Sequence, residues 1–328
     1  MKPSMFTRLF AAGTLAAASL FSVGAHAYTG LYVFGDSLSD AGNVALAIGA
    51  DPGQVITGNS YIPGQPYASG QFSNGDVWLK SVAVSLGLPA AGVPSLTTVG
   101  TDFAFGGARV ATDGPGLSPS LTLQANLFLA GSGGVVPAGG LFVVAGGGND
   151  ARDTLQAAAV SGTPFSVITA DAASFANAVG NLVDQLQAAG AQNIIVWDVP
   201  NLALAPAVTA LGAGAAFLGG QVSLAMNNAL ALRIAGEAGV QIFDIYGLQN
   251  AWIANPAAFG LVNVTDACGA VLGCDPSTYL FWDGIHPTSA GHALLASAML
   301  AAAVPEPASG LLLAVGVIGL CVWRRRAG

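Results

Sequence analysis

Val33-Phe34-Gly35-Asp36-Ser37-Leu38-Ser39-Asp40, early in the chain, reads as an apolar strand that breaks into a turn. Leu31–Phe34 is a continuous apolar run, and Gly35 ends it. Runs without alternation suit strands of a parallel sheet covered on both faces. Four others have the same make-up: Asp102–Phe105, Leu141–Ala145, Asn193–Trp197 and Val240–Phe243. Helical patterns lie among them, at Val77–Leu86, Leu121–Leu129, Ala170–Ala189 and Ala213–Ala238, and a last one, Ser289–Ala302, follows Pro287. Strands alternating with helices predict an α/β class with right-handed crossovers, laid out as a three-layer α/β/α sandwich. Residues 44–75 are rich in Gly, Pro and Asn without a period, which suits a substrate-binding loop after the first strand.

Ser37 between two acids has an ordinary use, because Ser and Asp are good turn and helix-cap groups. A second use needs partners. In open parallel sheets, sites form at the carboxyl ends of strands. Four polar clusters fall at or near such ends: Gly35-Asp36-Ser37, Gly106-Gly107-Ala108, Gly146-Gly147-Gly148-Asn149-Asp150 and Asp283-Gly284-Ile285-His286-Pro287. A serine nucleophile needs a base that titrates near neutrality, and the chain has three histidines. His26 sits in the N-terminal leader described below, and His292 falls within the last helical pattern, where a packed or capping role is expected. His286 precedes Pro287, which disfavours helix at that residue, so it belongs to the loop entering the helix. Asp283 stands three residues upstream, and a turn through Gly284 would let its carboxylate accept from His286 Nδ1–H, leaving Nε2 for the serine.

The two ends are expected to stand apart from the folded body. Residues 1–27 have the layout of a secretory signal peptide: Lys2 and Arg8, an apolar stretch from Leu9 to Val23, then the small-x-small site Ala25-His26-Ala27. At the other end, Ala308–Trp323 is uncharged and precedes Arg324, Arg325 and Arg326. As a helix it would extend about 24 Å, slightly short of a ~30 Å hydrocarbon core, with the arginines on the cytoplasmic side. The expected division is a signal peptide over 1–27, a single large domain over 28–303, and a sorting and transmembrane tail over 304–328.

Residues 28–307 hold four basic side chains, Lys80, Arg109, Arg152 and Arg233, against all 17 acids, a formal charge of −13. Such a surface repels phosphate backbones, so nucleic acid is not expected as a partner. Charged residues make up only 8% of the chain, against about 25% in ordinary proteins, so neutral polar and small side chains must cover the surface. Cys268 and Cys274 lie close together, and in an exported protein that spacing suggests a small-loop disulfide. Two thiols without a nearby His or Cys cluster do not suggest a metal site, and no organic cofactor is implied.

The stretches "FGDSLSDAGN" (34–43), "FAFGGAR" (103–109), "GGGND" (146–150) and "DGIHP" (283–287) resemble, in order, the four sequence blocks of the GDSL-type, or SGNH, esterases and lipases. "FSNGDVW" (72–78) also resembles the family's segment between its first two blocks. The resemblance implies a flavodoxin-like, five-stranded parallel sheet in the order 2-1-3-4-5. It implies that Ser37 is the nucleophile, His286 the general base and Asp283 its orienting carboxylate. It further implies an oxyanion hole made by the backbone N–H groups of Ser37 and Gly107 and the side-chain amide of Asn149. The second block often begins with Asn, where this chain has Asp102, and Gln71 stands where a basic residue is common. Pro305-Glu306-Pro307, the apolar run and the arginines resemble a PEP-CTERM sorting signal, which implies processing by an exosortase and export to the cell surface or beyond, with transient anchoring by the tail. The expected function is an exported serine ester hydrolase acting on small-molecule, lipid or sugar esters. Its alternatives are a carbohydrate O-acetyl esterase working on extracellular polysaccharide and a noncatalytic surface protein on an esterase scaffold. A nucleotide-binding domain is disfavoured, because "GAGAAF" (212–217) does not complete G-x-G-x-x-G.

Overall fold

In the computed structural model, residues 28–48, 70–114 and 118–304 are described. The expected signal peptide, the sorting tail from residue 305 onward and most of the Gly- and Pro-rich insertion lie outside them. Tyr28–Leu300 form one compact unit. No helix among the described residues is long and apolar enough to cross a membrane.

The main sheet has four parallel strands, β1 (Gly30–Gly35), β2 (Gly140–Ala145), β3 (Asn193–Trp197) and β4 (Val240–Phe243), in that spatial order. All six residues of β2 are buried, as its central place requires, whereas β4 is a partly exposed edge. The helices are α1 (Asn43–Ala47), α2 (Trp78–Ser85), α3 (Leu121–Gly131), α4 (Gly148–Val160), α5 (Pro164–Ala188), α6 (Pro206–Thr209), α7 (Ala213–Arg233), α8 (Ile245–Ala254) and α9 (Ser289–Ala303). Phe34, Phe142, Val144, Ile194 and Val196 project from the sheet into one apolar cluster with Leu121, Val179, Leu182 and Met226 of α3, α5 and α7. On the other side, the Trp197 ring lies 5.1 Å from that of Trp78 in α2, and its Nε1–H points at Met299 Sδ of α9, 3.1 Å away. These contacts make the helix–sheet–helix layering. Each fully buried large apolar side chain contributes about 1.5–3 kcal/mol, and Trp78, Phe34 and Phe142 are among the largest of them.

The count of five strands needs a correction. The segment Asp102–Phe105, expected as a strand, runs parallel to β1 but joins it through a single bridge, Val33 to Asp102. Three ladder bonds form: Val33 N–H to Thr101 O, Phe103 N–H to Val33 O and Phe105 N–H to Gly35 O. The bond between the second and third of these would run from Gly35 N–H to Phe103 O, but that N–H donates to Gln124 Oε1 at 2.8 Å, and Gln124 Nε2 donates to the Gly35 carbonyl at 2.9 Å. A side-chain amide from α3 therefore interrupts the ladder. With 101–105 placed beside β1, the spatial order is still 2-1-3-4-5.

Four helices arise where no helix was expected, the short α1 and α6 and the longer α4 and α8, and α5 begins six residues before its apolar pattern. A second, two-stranded parallel sheet pairs β5 (Asn263–Ala267) with β6 (Tyr279–Phe281). Its first strand, Asn-Val-Thr-Asp-Ala, has no apolar run to betray it.

Candidate active site

Ser37 stands two residues beyond β1, in a turn held by buried acids. Asp36 Oδ1 accepts from Leu38 N–H at 3.0 Å. Asp40 caps the next turn, with Oδ1 accepting from Gly42 and Asn43 N–H and Oδ2 from Gly106 N–H. Asp102 accepts from Ala41 N–H at 2.8 Å, and Asn43 Nδ2 donates to the Asp102 and Ala104 carbonyls. The first two sequence blocks are thereby bonded to each other through groups that are almost wholly buried. Burial pushes the Asp36 and Asp40 carboxyls up to about 6, against the pull of their N–H donors. Burial, and the neighbouring Asp40, raise Asp102 well above the ordinary range.

The segment 283–287 is a turn built around one carboxylate. Asp283 Oδ1 accepts from the N–H groups of Ile285 at 2.8 Å and His286 at 2.7 Å. Its Oδ2 lies 2.7 Å from His286 Nδ1, and His286 Nε2 lies 2.8 Å from Ser37 Oγ. Residues 249 positions apart in sequence thus meet at the carboxyl end of β1. With Oδ2 accepting from Nδ1–H, the Nε2 lone pair faces the hydroxyl. The turn is braced from three sides. Trp282 N–H donates to the His286 carbonyl, Gly269 N–H donates to that of Trp282, and the Phe72 ring lies 5.4 Å from the imidazole. Gly269 follows Cys268, which is joined by a disulfide to Cys274 with 5.6 Å between Cα atoms. Ser73 Oγ donates to the Pro287 carbonyl, tying the "FSNGDVW" segment to the same turn.

Asn149 stands in the first turn of α4, behind Gly147, whose φ of +114° favours glycine and whose missing Cβ leaves room for the Phe175 ring. Its Nδ2 donates to the Ala108 carbonyl at 2.9 Å, so the second and third blocks are also bonded to each other. Asp150 accepts from Val110 N–H, and burial raises its carboxyl to about 6.

A cleft enclosing about 550 Å³, open mouth included, contains Ser37, Asn149 and His286 in its lining. Leu38, Leu202, Ala205, Val208, Phe281 and Ile285 supply an apolar wall. Asp283 lies behind the imidazole, outside the lining, and Gly107 is not among the lining residues either. Gly107 has φ +82°, the left-handed region, and its carbonyl accepts from Arg109 Nη1. Sequence reasoning did not anticipate the wall from residues 200–208, nor Arg152, whose Nη1 donates to Asn149 Oδ1 at 3.3 Å. The i, i+3 spacing of Asn149 and Arg152 was the available signal, once a helix there is granted.

The comparison with known proteins agrees with this architecture. The sequence profile of the GDSL-like lipase/acylhydrolase family matches residues 31–299, and the chain belongs to that family, a class of hydrolases acting on esters. A second profile, the PEP-CTERM protein-sorting motif, matches residues 303–326, a signal for export to the cell surface. Among named relatives, a GDSL esterase/lipase of Arabidopsis thaliana is 28% identical over 311 residues, covering 84% of this chain and 89% of the plant protein. Esterase EstA of Pseudomonas aeruginosa is 29% identical over 313 residues, covering 82% of this chain and 46% of that protein. An uncharacterized Pseudomonas putida protein from the trpE-trpG intergenic region is 27% identical, with 47% of its length covered. The chain thus spans about half of these two bacterial relatives.

Proposed function

We propose that this protein cleaves carboxylic esters through an acyl-serine intermediate. The reading rests on one observation, the unbroken chain from Asp283 Oδ2 to the His286 ring to Ser37 Oγ, with steps of 2.7 and 2.8 Å. In this mechanism Ser37 Oγ attacks the ester carbonyl while His286 Nε2 takes its proton. Asp283 holds the imidazole in the required tautomer and stabilises the imidazolium. The former carbonyl oxygen becomes an oxyanion, met by the N–H groups of Ser37 and Gly107 and by the Asn149 amide; each such donor is worth about 2.7–4 kcal/mol in comparable chemistry. His286 then returns the proton to the leaving alkoxide, and water repeats the sequence on the acyl-enzyme to regenerate the serine. The apolar wall favours substrates whose acyl part is a hydrocarbon chain. The PEP-CTERM motif supports work at or beyond the cell surface, with an exosortase-type enzyme processing the tail.

The sorting motif also favours a second reading, a carbohydrate O-acetyl esterase of an extracellular matrix. Rates on p-nitrophenyl esters of rising chain length, set beside rates on acetylated sugars, separate the two; rates that rise with acyl length exclude the polysaccharide version. For the chemistry itself, a fluorophosphonate probe is expected to label the peptide bearing Ser37 and to leave Ser37→Ala unlabelled. Ser37→Ala is expected to lose about 10⁴-fold or more in kcat with an unchanged melting temperature. Wild-type turnover in that variant overturns the assignment.

A further inference from the structure

Asn149 is the one proposed oxyanion donor that is a side chain, and a side-chain amide can turn over. Its carbonyl and amino ends have nearly the same shape but opposite hydrogen-bonding sense. An amide presenting Oδ1 to a developing oxyanion would repel it. Something must therefore fix which end faces the cleft.

We infer that Arg152 is a positioning residue for the reaction, holding the Asn149 amide with its N–H toward the ester oxygen; this rests on the ester-hydrolase reading above. Asn149 is 6% exposed and Arg152 is half-buried, and both line the cleft that holds Ser37 and His286. Arg152 Nη1 donates to Asn149 Oδ1 at 3.3 Å, and Asn149 Nδ2 donates to the Ala108 carbonyl at 2.9 Å. The acceptor end and one of the two N–H bonds are thus committed, and the second N–H is left for the reacting centre. A guanidinium has donors and no acceptor, so it binds only the Oδ1 end. A flipped amide would set its NH₂ against the guanidinium and its oxygen against the Ala108 carbonyl. The geometry is set by the helix: Asn149 and Arg152 are three residues apart in α4, on one face.

The charge matters as well as the donor. A cation at the oxygen of an amide polarises it and strengthens the hydrogen bond its N–H gives, because bonds in such a chain reinforce one another. The reinforcement grows as negative charge develops on the substrate oxygen, so it acts on the transition state more than on the bound ester. Among the described residues, Arg152 is the only lysine or arginine in the cleft lining. An alternative use, holding an anionic group of the substrate, predicts a different kinetic signature, in KM rather than kcat.

The test is a double-mutant cycle on the full chain with neutral p-nitrophenyl esters. Arg152→Met, which keeps an apolar stem, is expected to lower kcat about 10- to 30-fold and to change KM less than 3-fold. Arg152→Lys, which keeps a charged donor, is expected to recover most of that loss. In an Asn149→Ala background the same Arg152→Met change is expected to cost less than 2-fold, since the amide it orients is gone. Losses that multiply across the cycle, a loss confined to KM, or wild-type kcat in Arg152→Met overturns the role. Should Arg152→Met melt far below the wild type, the cycle is run with Arg152→Gln, which lacks the charge and is expected to lose at least 3-fold in kcat with the same non-additivity. Ser37→Ala serves as the reference. If it is inactive while Arg152→Met turns over normally, the positioning role alone fails; if it is active, the ester-hydrolase reading fails with it.

Discussion

The turn 283–287 and the start of α9 lie side by side in sequence, and each carries one buried histidine. Both rings are about 1% exposed. In the turn, His286 has a hydrogen-bonding neighbour at each nitrogen, the Asp283 carboxylate and the Ser37 hydroxyl. In the helix, His292 accepts from Trp78 N–H through Nδ1 at 3.3 Å, and its Nε2 has no hydrogen-bond partner among the described residues. Burial pushes the His292 pKa down to about 3, with a smaller contribution from His286. The two places share burial, residue type and neighbourhood, and differ in the company each ring keeps. A carboxylate behind the imidazole and a hydroxyl ahead of it make a group that can pass a proton; a single backbone donor makes a neutral packing element. Burial alone therefore does not mark a functional histidine.

The largest effects should fall on the turn. His286→Ala is expected to reduce kcat by about 10⁴-fold or more, whereas His292→Gln is expected to stay within 2-fold of wild type. Comparable losses in both would erase the distinction. Asp283→Asn comes next, at about 10³- to 10⁴-fold in kcat, because the asparagine no longer favours the Nδ1–H tautomer. An Asn variant within 10-fold of wild type would show that the turn backbone alone orients the ring.

The helix histidine should declare itself in stability. Its folded pKa is depressed, so its neutral form is stable above the unfolded value of about 6.5 and is penalised as pH falls toward 3. At pH 5 the penalty is about 2 kcal/mol, from a shift of 1.36 kcal/mol per unit. Relative to wild type, His292→Gln should therefore gain melting temperature between pH 7 and pH 5; a constant difference across that range would break the account.

A buried carboxylate offers the opposite sign. Burial, with Asp244 nearby, raises Asp198 to about 7, while Tyr246 N–H donates to its Oδ1. Such a group is stabilising when protonated, and its contribution is lost as pH rises from about 4 to 7. Asp198→Asn keeps an acceptor for Tyr246 and removes the charge. Three pH units at about 1.36 kcal/mol each predict a gain of about 4 kcal/mol at pH 8, on the order of 10 °C in melting temperature, and the gain should vanish by pH 4. A gain independent of pH would assign the effect to packing.

The sheet was legible in sequence wherever a strand was a closed apolar run. Leu31–Phe34, Leu141–Ala145, Asn193–Trp197 and Val240–Phe243 all lie within observed strands. The fifth run failed to become a full strand through a contact no local pattern contains, the Gln124 amide from 89 residues away capturing Gly35. The short sheet of β5 and β6 is likewise invisible, since Asn263 to Ala267 alternates nothing hydrophobic. At the site, Ser37, Asp283 and His286 were named from residue type and position, and the structure sets them in one hydrogen-bonded line. Histidine scarcity made that reading possible. The wall from residues 200–208 was missed because its side chains are common apolar ones, whose role depends only on where the chain after β3 is carried.

That wall has a practical consequence. The stretch from Pro200 to Val208 shares no residue with the four motif blocks, yet Ala207 N–H donates to the carbonyl of Gly284, inside the turn that carries Asp283 and His286, at 2.9 Å. On the ester-hydrolase reading proposed above, grafting a different loop there offers a route to re-cut acyl preference while leaving Ser37, His286 and Asp283 untouched, on condition that the graft supplies a backbone donor at the same spot.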